Sequence, residues 1–193
     1  MEYHRGIMKV SLAENLRALM VKHLFEKITI KKICDETGVI RATFYNYYED
    51  KYDCLQWIVY HDVIEKNEKK LAAGDVLGAF SDLLHTVDEN RAFYIASYRN
   101  VTGQNSFEDM VRAQFVDLCI TYFSLYRDEN VLPAYNNEIL AHYYAESLAY
   151  LVKMFVFQDA GKMSIEETIQ LGYDLLAHSM LDFIEATKRT TIK

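Results

Sequence analysis

Apolar residues recur along this chain at three- and four-residue intervals, and no stretch reads convincingly as a strand. Leu12, Leu16, Leu19, Met20 and Leu24 predict an amphipathic helix over about 8–26, with Ser11 and Glu14 near its start. Thr29 can cap a short helix from about 30 to 37 that turns Ile30, Ile33 and Cys34 inward and ends at Gly38. A second short helix follows over about 41–48. Asp50 then caps a longer one that runs to about Gly74. Asp75 opens a helix to about 88, and the segment "ENRAFYIASYRN" predicts a short one before Gly103.

Ser106, with Asp109 three positions on, is a capping-box variant at the head of a helix to about 127. Pro133 fits the first turn of a long helix to about 159, stopped by Gly161. Ser164 and Glu167 form a full capping box, opening a last helix to about 187. The fold class is therefore all-α, with about nine helices and no repeat or low-complexity linker.

The helix predicted over 133–159 is apolar or aromatic nearly all round, with Ile139, Leu140, Tyr143, Tyr144, Leu148, Leu151, Val152, Phe155 and Val156. The last helix repeats the trait with Leu171, Tyr173, Leu175, Leu176, Met180, Leu181, Phe183 and Ile184. Such helices must be covered on more than one side. The pattern predicts a homodimer through the last two helices, the alternative being a buried central hairpin in a monomer.

Composition agrees with a packed helical body. The chain has 193 residues, 51% of them hydrophobic, with one proline and seven glycines, which disfavours a turn-rich sandwich or barrel. No apolar run approaches the roughly 20 residues that span a bilayer, and the N-terminus lacks an apolar signal segment, so the expected location is the cytoplasm. Cys34, Cys54 and Cys119 are odd in number and widely spaced, and read as reduced, buried residues.

Charge divides the chain. Residues 1–47 hold eight Lys/Arg and five Asp/Glu, a balance of +3, and the remainder hold thirteen against twenty-three, which completes the net −7. An acidic body with a mildly basic head fits a small nucleic-acid-binding head, with residues 1–50 as head and 51–193 as body, chance variation of charge across a surface being the other reading.

The head carries the chemistry. Two short helices joined at Gly38-Val39 match a helix-turn-helix. Phe44 and Tyr48 are spaced i, i+4 and should share a face toward Ile33 and Leu16. Arg41, Ala42, Thr43, Tyr45, Asn46 and Tyr47 are left to project elsewhere. An arginine can read guanine bidentately and an asparagine adenine, while Thr and Tyr hydroxyls reach phosphates.

The stretch "ITIKKICDETGVIRATFYNYYEDKYDCL", residues 28–55, resembles the DNA-binding signature of the TetR family of bacterial transcriptional regulators. The resemblance rests on the isoleucine-rich first helix, Gly38-Val39, the Thr43-Phe44-Tyr45 trio, an aromatic at 48, and Lys51. It implies that Thr29 and Lys31 meet the phosphate backbone, that Arg41, Ala42, Thr43, Tyr45, Asn46 and Tyr47 face the groove, and that Lys51 meets a phosphate. One departure is Ile40, where relatives commonly carry a small polar cap, a loss of about 1 kcal/mol. Either the recognition helix orders fully only on DNA, or Ile40 packs outward on the backbone.

The resemblance further implies a homodimer on a palindromic operator, with a body that answers to a small molecule or a protein coregulator. Nine of the fifteen tyrosines lie beyond residue 90, and His85, Tyr94, Tyr98, Tyr122 and Tyr144 could line an effector pocket. Ordinary core packing plus dimer surface is the other reading of the same rings. The segments 103–115 and 149–176 also resemble the branch associated with dihydroxyacetone kinase operons, in which a protein coregulator can act.

Enzyme readings find no site. Glu138, His142 and Glu146 share a helix face, and His178 with Asp182 repeats the spacing, but the paired Glu-x-x-His motifs of a di-iron bundle are missing, Asp82 and His85 being the nearest. His61-Asp62 lacks companion histidines, and no phosphate loop or nucleophile elbow is present. No catalytic residue, metal or cofactor is expected. The competing class is a dimeric helical protein-interaction module that does not bind DNA.

Overall fold

The computed structural model describes residues 2–127, 136–158 and 163–177, and every described element is helical. The elements are α1 (Glu2–Lys22), α2 (Ile30–Thr37), α3 (Arg41–Tyr45), α4 (Lys51–Val63), α5 (Glu68–Ala72), α6 (Val76–Glu89), α7 (Arg91–Asn100), α8 (Phe107–Tyr126), α9 (Asn137–Phe157) and α10 (Ile165–Ala177). Short 3₁₀ turns at Phe25–Lys27 and Glu65–Asn67 join α1 to α2 and α4 to α5.

The caps fall where the sequence places them. Thr29 accepts from the Lys32 amide at 3.2 Å, Asp50 from those of Tyr52 and Asp53, and Asp75 from that of Gly78. At α10 the capping box is reciprocal: Glu167 N–H donates to Ser164 Oγ at 3.1 Å, and Ser164 N–H to Glu167 Oε2 at 2.7 Å.

Three boundaries differ from expectation. The helix predicted from 51 to 74 is divided, because Asn67 Nδ2 donates to the carbonyls of Asp62 and Val63 and so takes acceptors a continuing helix would use. That division makes ten α-helices among the described residues where about nine were expected. Helix α3 stops at Tyr45, and Asn46 and Tyr47 close it with i+3 bonds to Thr43 and Phe44. Helix α1 starts at Glu2 and ends at Lys22, with a turn where its last residues were expected. Pro133 and Gly161, and the last helix beyond Ala177 with His178, Met180, Leu181, Asp182, Phe183 and Ile184, lie outside the described residues. Asn136 is the cap from which α9 is described, accepting from the Ile139 amide at 2.8 Å.

Helix α1 is the hub, packing against α2, α4 and α7. Helices α8 and α9 form the most extensive pair, and their links run in opposite registers: Lys153 to Glu108 at 2.7 Å, and Arg112 to Glu146 at 3.2 Å. They are therefore antiparallel. Ala141, Ala145 and Ala149 recur every fourth residue on the buried side of α9, where small side chains permit close approach. Helix α10 packs on α6 and α9. One continuous apolar core runs through the whole, from Leu12 and Phe44 in the head to Phe155 in α9.

Candidate nucleic-acid interface

Helices α2 and α3 meet at a turn that only a residue free to enter the left-handed region makes cheaply. Gly38 has φ +74°, its N–H donates to Asp35, and the Val39 N–H reaches back to Cys34 at 3.0 Å. The turn is tied to α1 by Asn15, whose Nδ2 donates to Thr37 Oγ1 at 3.0 Å.

Helix α3 has two unlike sides. Phe44 is fully buried and Tyr48 nearly so, in the same core as Leu16 and Ile33. The Tyr48 hydroxyl donates to the Lys9 carbonyl at 2.9 Å, which fixes the end of the recognition segment onto α1. Burial pushes that hydroxyl far above its ordinary range, so it stays a donor. Opposite, Arg41, Ala42, Tyr45 and Asn46 are exposed, Thr43 and Tyr47 half-buried, and Tyr45 is 56% accessible. Arg41 has no ion-pair partner among the described residues, so its guanidinium is available. Thr29 and Lys31 are exposed at the start of α2, with Lys31 leaning on Asp35 at 2.5 Å. Helix α3 is formed, no side chain caps it, and Ile40 is 72% exposed.

Lys51 stands apart from the other expected contacts. Its ammonium donates to the carbonyls of Phe25, Glu26 and Ile28 at 2.8, 3.3 and 3.1 Å and lies 4.5 Å from the Phe25 ring centre. Three donors meet three acceptors, which braces the 3₁₀ turn that leads into α2.

Of the five positions suggested for an effector pocket, Tyr94 and Tyr98 meet at the Phe107 ring and Tyr122 and Tyr144 at the Phe123 ring. Tyr94 is buried with its hydroxyl on Asp62 at 2.5 Å, and Tyr98 packs its ring on Phe107 at 4.9 Å. Tyr144 sits against Phe123, and His85 is exposed on α6. Tyr122 lines a cavity of about 370 Å³ between α4, α5 and α8, which the other four do not border.

Asp62 was weighed in the sequence only beside His61 as a metal dyad; it is instead the centre of a buried network. It receives Arg17 Nη2 at 3.0 Å, the Tyr94 hydroxyl, and Lys66 Nζ at 3.1 Å. Burial alone would lower the Arg17 pKa, but Asp62, Tyr94 and Glu14 together outweigh it and the net direction is upward. The network joins α1 to α4 and to α7. Its signal in the sequence is a lone aspartate on the inward face of α4, between Ile58, Val59 and Val63.

The arrangement of α1–α10 is shared with solved proteins. A structure described as a TetR-family transcriptional regulator from Syntrophomonas wolfei aligns with a TM-score of 0.65, at 15% identity, over 93% of this chain and 98% of that one. The fold is that of the TetR family of regulators. The dihydroxyacetone kinase operon activator DhaS aligns with a TM-score of 0.58, at 20% identity, over 89% of this chain and 94% of that one. The fatty acid degradation regulator FadR of Bacillus halodurans aligns with a TM-score of 0.61, at 14% identity, over 89% of this chain and 95% of its own. By sequence, the chain is 29% identical over 86 residues to the dhaKLM operon transcriptional activator DhaS of Lactococcus lactis. That match covers 43% of this chain and spans less than half, 44%, of the relative. No protein-family model matches the chain.

Glu146 is engaged by Arg112, His61 by Glu65 at 2.8 Å, and no group of three metal-ligating side chains occurs among the described residues. No described helix is long and apolar enough to cross a membrane. Cys34, Cys54 and Cys119 are buried free thiols, and burial pushes Cys119 up to about 11.

Proposed function

We propose that this chain is a sequence-specific DNA-binding transcriptional regulator that acts as a homodimer on a palindromic operator. The observation that carries the reading is the two-sidedness of α3: Phe44 sealed in the core while Arg41, Tyr45 and Asn46 stand outside it. Residues 1–50 form the reading head in this account, and residues 51–193 the sensing and dimerising body. Arg41 and Asn46 supply base-edge contacts, Ala42, Thr43, Tyr45 and Tyr47 complete the groove surface, and Thr29 and Lys31 hold the phosphate backbone.

Dimerisation through the last two helices is supported by apolar surface without cover. Ile139, Tyr143, Tyr150 and Phe157 stand exposed along one side of α9, and Tyr173 and Leu175 along α10. Two heads joined this way enter successive major grooves about 34–36 Å apart. Control comes from a small molecule or a protein coregulator on the body, through differential affinity for two head spacings. The similarity to DhaS, an activator of a dihydroxyacetone kinase operon, makes a related operon the first place to look for the target.

The test is a selection of genomic fragments on the purified chain at physiological salt. A small set sharing a palindrome is the expected result; no enrichment at any salt concentration favours a helical interaction module that binds protein instead.

A further inference from the structure

The cavity between α4, α5 and α8 has a lining of one sign. Its walls are apolar, with Ile64, Leu71 and Leu118 among them, and two carboxylates, Glu68 and Asp117, stand on its border. No lysine, arginine or histidine lines it, and neither carboxylate has an ion-pair partner among the described residues. The Tyr126 hydroxyl donates to the Ala72 carbonyl at 3.1 Å, closing the end where α8 meets α5.

A second observation is independent of that charge. Gln114 also lines the cavity, is only 6% exposed, and its carboxamide has no hydrogen-bond partner among the described residues. The polar atoms of that carboxamide still meet solvent through the cavity, so an entering ligand takes the place of water on it. An anion would meet two carboxylates. A neutral apolar molecule would fill the walls and leave both the amide and the carboxylates as they are. An ammonium group donates to the Gln114 carbonyl oxygen, is attracted by Glu68 and Asp117, and is tolerated beside the rings of Tyr60 and Tyr122.

We propose that this cavity binds a protonated primary or secondary amine carrying an apolar alkyl or arylalkyl body. At about 370 Å³ it lies at the small end of ligand sites, which suits one ring and a short chain. The binding stands on the cavity alone, whereas its regulatory meaning rests on the DNA-binding reading above.

The test is calorimetric titration of the full chain, without DNA, at neutral pH with three matched probes: 4-phenylbutylamine, 4-phenylbutanol and 4-phenylbutyrate. The amine is expected to bind at least tenfold more tightly than the alcohol, and the butyrate not at all. The double variant E68Q/D117N should lose at least tenfold in amine affinity with alcohol affinity unchanged, and Q114L should weaken the amine more than the alcohol. Equal affinity for amine and alcohol, or no heat from any probe, overturns the proposal. Both carboxylates are at the surface, so their variants fold, and circular dichroism checks this. If the amine preference holds but no DNA fragment is ever selected, the site stands and the regulator reading fails. If DNA is selected and the amine does not bind, the reverse is true.

Discussion

The guanidinium of Arg17 in α1 lies 3.0 Å from the carboxylate of Asp62 in α4, and neither side chain is more than 6% exposed. A charge pair so far from water sits where α1 meets α4, and Tyr94 of α7 shares the same carboxylate oxygen. Removing Asp62 leaves the buried Arg17 guanidinium with only the half-exposed Glu14, 3.3 Å from its Nε, as a counter-charge. Asp62→Asn is therefore expected to destabilise the fold by roughly 3–5 kcal/mol in urea unfolding. The double variant Arg17→Met with Asp62→Leu should regain much of that, since apolar replacements of a buried pair are often neutral. Additive losses in the double variant would mean that the two side chains do not act as a pair.

Tyr94 gives the same junction a pH signature. Burial first, and then the charge of Asp62, holds its phenol well above the usual value of 10. A folded-state value raised above the unfolded one gives stability that is complete below about pH 10 and is lost as pH rises above it. Tyr94→Phe should accordingly flatten the alkaline slope of unfolding free energy by up to one proton, about 1.4 kcal/mol per pH unit. An unchanged slope would place the Tyr94 phenol in contact with water.

Lys51 separates two roles that sequence alone merges. With its ammonium on three carbonyls of the turn before α2, Lys51→Ala should lower stability by about 1–3 kcal/mol. Bound to DNA, the same variant should keep the salt slope of the wild type. A slope smaller by about one would show that Lys51 also meets a phosphate.

What the residue pattern made legible is the local grammar. Thr29, Asp50, Asp75, Ser106 and Ser164 are caps because a side-chain oxygen at a helix start satisfies an orphan amide, and this needs no tertiary partner. Gly38 and the i, i+4 pair of Phe44 and Tyr48 are readable for the same reason, and with them most of the candidate interface. Long-range partners leave no such mark. The break at Asn67 depends on an amide turning back on Asp62 and Val63, although asparagine also sits inside many helices. Tyr94 and Tyr122 look alike in sequence, yet one is buried against a carboxylate and the other borders a cavity. Which tyrosine goes where is decided by how α4, α7 and α8 cross, and periodicity within one helix does not encode that.

The exposed side of α9 predicts the assembly. Tyr143 and Tyr150 lie on one stripe with Ile139 and Phe157, so Tyr143→Glu with Tyr150→Glu would bury charge in any interface built there. Sedimentation should shift from dimer to monomer, with dissociation at least tenfold more favourable. A dimer of undiminished strength would move the interface off α9.

The central claim is that α3 reads bases, and the direct measurement is a salt titration of the chain and of Arg41→Ala on a selected fragment and on scrambled DNA. The account predicts a steep salt dependence for the wild type on the fragment. It also predicts a loss of roughly 1–3 kcal/mol for Arg41→Ala there, relaxed preference at one base pair, and little change on scrambled DNA. Equal losses on both sequences, or no salt-dependent affinity in either protein, would contradict it.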